Sequence, residues 1–125
     1  MATRLRCLVV EDEAMIADML EEFLNEIGHE VVASAATFPS AVILARESEC
    51  DVAILDINLN GEPSYAIGDI LRERDIPFMF ATGYGAGDLP GRFAAVPVLT
   101  KPYQIGVLSK AIENSARAAG GPPAA

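Results

Sequence analysis

The feature that most constrains this chain is a repeated change of hydrophobic period. Short apolar runs alternate with segments whose apolar residues recur at helical spacing. Leu8, Val9 and Val10 close a first run at 5–10. Ile16, Met19, Leu20, Phe23, Leu24 and Ile27 then fall on one helical face, and Gly28 stands where that helix should stop. A second strand is expected at 30–35. Phe38, Ala41, Val42 and Ala45 mark a weaker helix that tolerates Pro39 in its first turn. The run at 52–55 is apolar throughout, Asn60-Gly61 signals a turn, and Pro63 is expected to open a helix carrying Ile67, Ile70 and Leu71. A fourth strand is expected at 78–81 and a fifth at 96–99. Ile105, Leu108 and Ile112 define a closing helix to about Arg117.

One stretch fits the alternation poorly. Gly83, Gly85, Gly87, Pro90 and Gly91 crowd the place where a helix is due. An interior Gly costs about 1 kcal/mol relative to Ala and Pro about 3 kcal/mol, so a helix at roughly 86–94 should be short or mobile. The terminal 118–125 has no periodicity and is expected to be disordered. The organisation is therefore one domain over 1–117 and a tail. Five strands alternating with helices give an α/β fold with a doubly wound parallel sheet and helices on both faces. Right-handed crossovers place every strand's C-terminal end on one edge, where ligands bind in such sheets.

The formal net charge is −9 over 125 residues. Phosphate backbones are held by clustered Lys and Arg, so no nucleic-acid partner is expected. No apolar run nears the roughly 20 residues that span a bilayer, and no secretory signal is evident, so the expected location is cytoplasmic and off the membrane. Cys7 and Cys50 lie in or beside buried strands and read as free thiols, although one bridge is possible in principle. A single histidine excludes a multi-histidine metal site within one chain.

The strand ends carry the chemistry. Glu11 and Asp12 follow the first strand, Asp56 the third, Thr82 the fourth and Lys101 the fifth. Adjacent carboxylates repel and call for a cation, and Mg²⁺ takes oxygen ligands of this kind. With charge neutralised by the metal and Lys101, Asp56 can attack phosphorus as a nucleophile and form an acyl phosphate. Thr82 can hydrogen-bond a phosphoryl oxygen, a contact available only in the modified state. Singly, each residue has an ordinary explanation: Asp and Thr cap helices, an acidic pair answers a helix dipole, and Lys is a surface residue. The joint arrangement at four strand ends favours the functional reading.

The motifs Leu8-Val9-Val10-Glu11-Asp12-Glu13, Leu55-Asp56-Ile57-Asn58-Leu59, Ala81-Thr82-Gly83 and Lys101-Pro102-Tyr103 resemble those of bacterial two-component response regulator receiver domains. The resemblance covers about 4–117. It implies the flavodoxin-like receiver fold with strand order 2-1-3-4-5. It implies that Glu11 and Asp12 hold Mg²⁺, that Asp56 is the phosphoacceptor and that Asn58 gives a backbone carbonyl to the metal. Thr82 matches the switch hydroxyl, Lys101 the family's lysine, and the Lys101-Pro102 bond is often cis in receivers. The implied partners are a sensor histidine kinase or phosphotransfer protein and a downstream protein.

Val98 stands where many receivers carry a Tyr or Phe, which puts an aromatic toggle coupled to Thr82 in doubt. The stretch from Pro77 to Gly85 is similar to the subgroup named for its Phe-Ala-Thr-Gly-Tyr motif, as is the stretch from Asp56 to Pro63. Kinases for that subgroup are often of the HWE or related classes. Tyr84 either shields an acyl phosphate from water or simply packs. The expectation is a single-domain response regulator in a phosphorelay that signals by protein contact, catalysing only its own phosphorylation and dephosphorylation. Two rivals remain: a Mg²⁺-dependent phosphatase with an aspartyl-phosphate intermediate, and a receiver-like binding module that is never phosphorylated. A phosphatase of the haloacid-dehalogenase type would need an acid where Asn58 stands.

Overall fold

A computed structural model describes residues 4–83 and 89–118. Five parallel strands form one sheet: β1 (Arg6–Val10), β2 (Glu30–Ala35), β3 (Val52–Asp56), β4 (Phe78–Thr82) and β5 (Val98–Thr100). Their spatial order is β2-β1-β3-β4-β5. The expected order and doubly wound architecture are therefore present. Four α-helices cover the sheet: α1 (Ala14–Glu26), α2 (Phe38–Glu47), α3 (Tyr65–Glu73) and α4 (Ile105–Ala118).

The period-2 alternation of the strands sorts the core into two layers. Cys7, Val9, Val52, Ile54, Met79 and Ala81 face α1 and α4, where they meet Leu20, Leu24, Leu108 and Ile112. Leu8, Val10, Ala53, Leu55, Phe78 and Phe80 face α2 and α3, where they meet Ala41, Ala45, Ile67 and Leu71. Burial on both faces is why these strands read as continuous apolar runs. Cys7 and Cys50 are both free thiols and belong to opposite layers.

Local signals explain most boundaries. Gly28 follows α1 at φ 94°, a left-handed conformation that favours glycine. Thr37 caps α2, its hydroxyl accepting from the Ser40 N–H at 3.3 Å, and Pro39 sits in the first turn. On the edge strand β2, the register jumps between Cys7↔Val31 and Leu8↔Ala33, which leaves Val32 unpaired and exposed. Such a bulge disrupts an otherwise open sheet edge.

Two expectations need correction. Pro63 does not open a helix. Glu62–Pro63 pairs antiparallel with Asn58–Leu59, and α3 starts at Tyr65. The Asn60-Gly61 turn closes this ribbon first, and Ser64 then donates to the Ile57 carbonyl at 2.8 Å. The fifth strand starts at Val98 rather than 96. Val96 donates back to the Phe93 carbonyl, and Pro97 has no N–H to give. The expectation that any helix at roughly 86–94 is short or mobile agrees with the described residues there, which hold a single 3₁₀ turn, Gly91–Phe93. Tyr84 and the tail from 119 lie outside the described residues.

Candidate functional site

The four strand ends meet as the topology requires. Asp56 is the last residue of β3, and its register partner on β4 is Ala81, the residue before Thr82. Thr82 pairs with Thr100, and the Thr82 carbonyl accepts the Lys101 N–H at 2.9 Å. Glu11 continues β1, donating its N–H to the Ala35 carbonyl at 3.0 Å. Lys101 is followed by a cis peptide to Pro102.

Lys101 is the centre of the polar cluster. Its Nζ lies 2.8 Å from Glu11 Oε1 and 3.0 Å from Asp56 Oδ2, so from the end of β5 it bridges the ends of β1 and β3. Glu11 is only 2% exposed, and its second oxygen accepts the Glu13 N–H at 3.1 Å. Asp56 Oδ1 accepts the Asn58 N–H at 3.4 Å. Asp12 is half-buried, and its Oδ2 accepts the Asn60 N–H at 3.1 Å. Glu11, Asp12 and Asp56 each bring a carboxylate oxygen within 4.8 Å of the others.

Burial and the Lys101 ammonium together shape the electrostatics. Burial pushes the Glu11 carboxyl up to about 7, against the ion pair with Lys101 that favours its charged form. Burial also raises Asp56, with Lys101 again pulling the other way. Burial opposes charge on Asp12 too, but hydrogen bonds with Glu11, the Asn60 N–H and Asp56 together hold it below its ordinary value. Lys101 is raised: burial disfavours its charge, and the bonds to Glu11 and Asp56 outweigh that.

Three carboxylates thus cluster around a site with one ammonium, which pairs with two of them, an excess of two negative charges when all are ionised. The donors are all hard oxygens, and their mutual strain is relieved by a divalent cation of matching hardness. The residues fit such an ion. Glu11, Asp12, Asp56 and Lys101 are brought together as the sequence predicts. Asn58 lies beside Asp56 with its side chain turned to the Gly61 N–H at 2.6 Å, consistent with a role for its main chain only. Val98 is half-buried against the α2–α3 layer, away from these charges.

Sequence reasoning gave no role to three features. Glu11 partners Lys101 as well as belonging to the acidic set. Asn60 supplies a main-chain donor to Asp12. Tyr103 is buried, and its hydroxyl is held neutral by burial and by the negative charge of Glu11 and Asp56. The Lys-Pro-Tyr run contains the only signal for Tyr103, and no local pattern marks the other two.

The model of the response regulator receiver domain family matches residues 7–113. The phyllosphere-induced regulator PhyR of Methylorubrum extorquens is 35% identical over 119 residues, covering 92% of this chain and 44% of PhyR. The solution structure of SdrG from Sphingomonas melonis superposes with a TM-score of 0.79 at 39% identity, covering 90% of this chain and 97% of SdrG. A mutant of the anti-anti-sigma factor PhyR from Bartonella quintana superposes with a TM-score of 0.75 at 27% identity, covering 90% of this chain and 48% of that protein. The chain therefore spans about half the length of the PhyR proteins it matches. Among the described residues, no helix is long and apolar enough to cross a membrane.

Proposed function

This chain belongs to the response regulator receiver domain family, and on that footing we propose that it is a phosphorylation-switched response regulator with Asp56 as its phosphoacceptor. The observation that carries the reading is the Lys101 bridge between Asp56 and Glu11 beside Asp12. An ionised Asp56 oxygen attacks the phosphorus of a phosphohistidine. The new O–P bond forms as the P–N bond breaks, and the electron pair returns to the imidazole nitrogen. Lys101, already 3.0 Å from Asp56 Oδ2, follows the charge onto the transferring oxygens. Asp12, Asp56, Glu11 and the Asn58 carbonyl would hold Mg²⁺. When bound, that ion offsets the carboxylate charge and polarises the phosphoryl oxygens. Thr82, at the neighbouring strand end, is the residue that reads the new phosphoryl group.

The donor in this reading is a histidine kinase or phosphotransfer protein. The output is contact with a partner protein, as the name anti-anti-sigma factor implies for the Bartonella relative. A net charge of −9 favours a protein partner over nucleic acid. The chemistry is one self-modification per chain rather than turnover of a substrate. Transfer from a phosphorylated histidine kinase should label the chain once in the presence of Mg²⁺. Continuous release of phosphate from an unrelated ester would instead make the chain a phosphatase and overturn the proposal.

A further inference from the structure

The loop after β3 is built around a turn whose main chain reaches back to the acidic pair. Asn58 pairs with Pro63 and Leu59 with Glu62 in a short antiparallel ribbon. The two residues between, Asn60 and Gly61, have φ values of 52° and 91°. Two successive left-handed residues are the hairpin geometry that favours Asn-Gly. The turn is anchored at both ends. Leu59 is 1% exposed within the α2–α3 core layer, and Asn58 Oδ1 accepts the Gly61 N–H at 2.6 Å. A donor carried on such a body is fixed in place, and here that donor is the Asn60 N–H on Asp12 Oδ2.

The three carboxylates are thus held differently. Glu11 and Asp56 are bridged by the Lys101 ammonium. Among the described residues Asp12 has no ion pair, and the main-chain donor of Asn60 fixes the rotation of its carboxylate. Orientation by such outer partners commonly changes metal affinity by about 10- to 100-fold.

We propose that the Asn60–Gly61 turn is a positioning element of the cation site, with Gly61 as the residue that keeps the Asn60 N–H on Asp12. The inference rests on the Mg²⁺-dependent reading above. Gly61 is a clean probe, because nothing lies within 4 Å of where its Cβ would stand. A side chain there acts through the backbone conformation and not by collision. Asn tolerates a left-handed φ far better than a β-branched residue does.

The test measures Mg²⁺ affinity by calorimetry on the full chain and, without metal, the hydrogen exchange of the Asn60 amide. Gly61→Val should weaken Mg²⁺ binding roughly tenfold and speed Asn60 exchange, with labelling at saturating Mg²⁺ unchanged, whereas Gly61→Asn should stay within about twofold of wild type. Gly61→Ala should move both readouts in the same direction by less, and it decides the matter if Gly61→Val does not fold. Wild-type affinity in folded Gly61→Val or Gly61→Ala protein, or weaker binding with unchanged Asn60 exchange, overturns the inference. A wild-type chain that binds no Mg²⁺ overturns the functional reading instead, which is a different result.

Discussion

Two clusters in this molecule are held together by opposite means. The polar cluster at the strand ends joins Lys101 to Glu11, ninety residues away in sequence. The aromatic cluster on the α2–α3 side is drawn from one short region: Tyr65 of α3, Phe78 and Phe80 of β4, and Phe93 of the 3₁₀ turn. Its rings meet mostly edge to face, with Phe80 and Phe93 centroids 5.2 Å apart at 87°. Every ring gains from its neighbours. At the strand ends the reverse holds, since burial disfavours the charge that Glu11 and Asp56 carry and raises both carboxyls above their ordinary values. The packed cluster is complete as it stands, and the polar one is poised for added positive charge. β4 joins them: Phe80 belongs to the first, and Thr82, two residues on, ends the strand at the second.

Phe93 also bears on the readout. Val98, at the position where many receivers carry an aromatic, pairs with Phe80 and packs against the layer that contains Phe93. The aromatic bulk near β5 therefore arrives from the 3₁₀ turn rather than from the strand. Arg92 stacks 4.6 Å from the Phe93 ring and pairs bidentately with Asp69 of α3, while Arg72 Nη1 donates to the Arg92 carbonyl at 2.7 Å.

The contrast can be broken from either side. Phe93→Ala should have the largest effect on stability, about 3–5 kcal/mol in urea unfolding, because the ring is fully buried. Mg²⁺ affinity of the folded variant should stay within about twofold of wild type; a loss as large as that from a carboxylate substitution would show the two clusters to be one unit. Gly68→Ala should follow. Its Cβ would stand 3.1 Å from Phe78 and 3.3 Å from Phe93 atoms. Overpacking of about 2 kcal/mol, less about 1 kcal/mol of gained helix propensity, predicts a net loss of about 1 kcal/mol. A stabilised Gly68→Ala protein would mean that the rings yield more readily than their packing implies.

The smallest effect is in pH. Glu11 binds its proton more tightly folded, at about 7, than at its ordinary value of 4.5. Its contribution to stability is therefore full below 4.5 and is lost as pH rises through about 7. Melting of the metal-free protein should fall modestly between pH 4.5 and about 7 and level off above, and Mg²⁺ should bind more tightly as pH rises through the same window and the competing proton leaves. The aromatic cluster carries no such dependence, so a flat profile would show that the polar cluster is not under charge strain.

Much of this was legible in the sequence because period and position are local. Alternation of periods placed all five strands, and a parallel sheet has only one edge for their C-terminal ends, so Glu11, Asp12, Asp56, Thr82 and Lys101 could be brought together without coordinates. What escaped depends on approach between distant segments. The Asn60-Gly61 turn was readable, but its reach to Asp12 was not, because that contact needs the loop after β3 to lie against the end of β1. Phe93 was hidden in a run of glycines and a proline that argued only against a helix. Pro63 fits the first turn of a helix as well as the end of a ribbon, and tertiary pairing with Asn58 decided between them.

The account turns on Asp56, and intact-mass measurement after incubation with a small acyl-phosphate donor and Mg²⁺ tests it most directly. The wild-type chain should gain one phosphoryl group that is lost at alkaline pH, and Asp56→Asn or added chelator should abolish the gain. A wild-type chain left unmodified by any small donor or phosphorylated kinase, or an Asp56→Asn chain modified to the same extent, would contradict it.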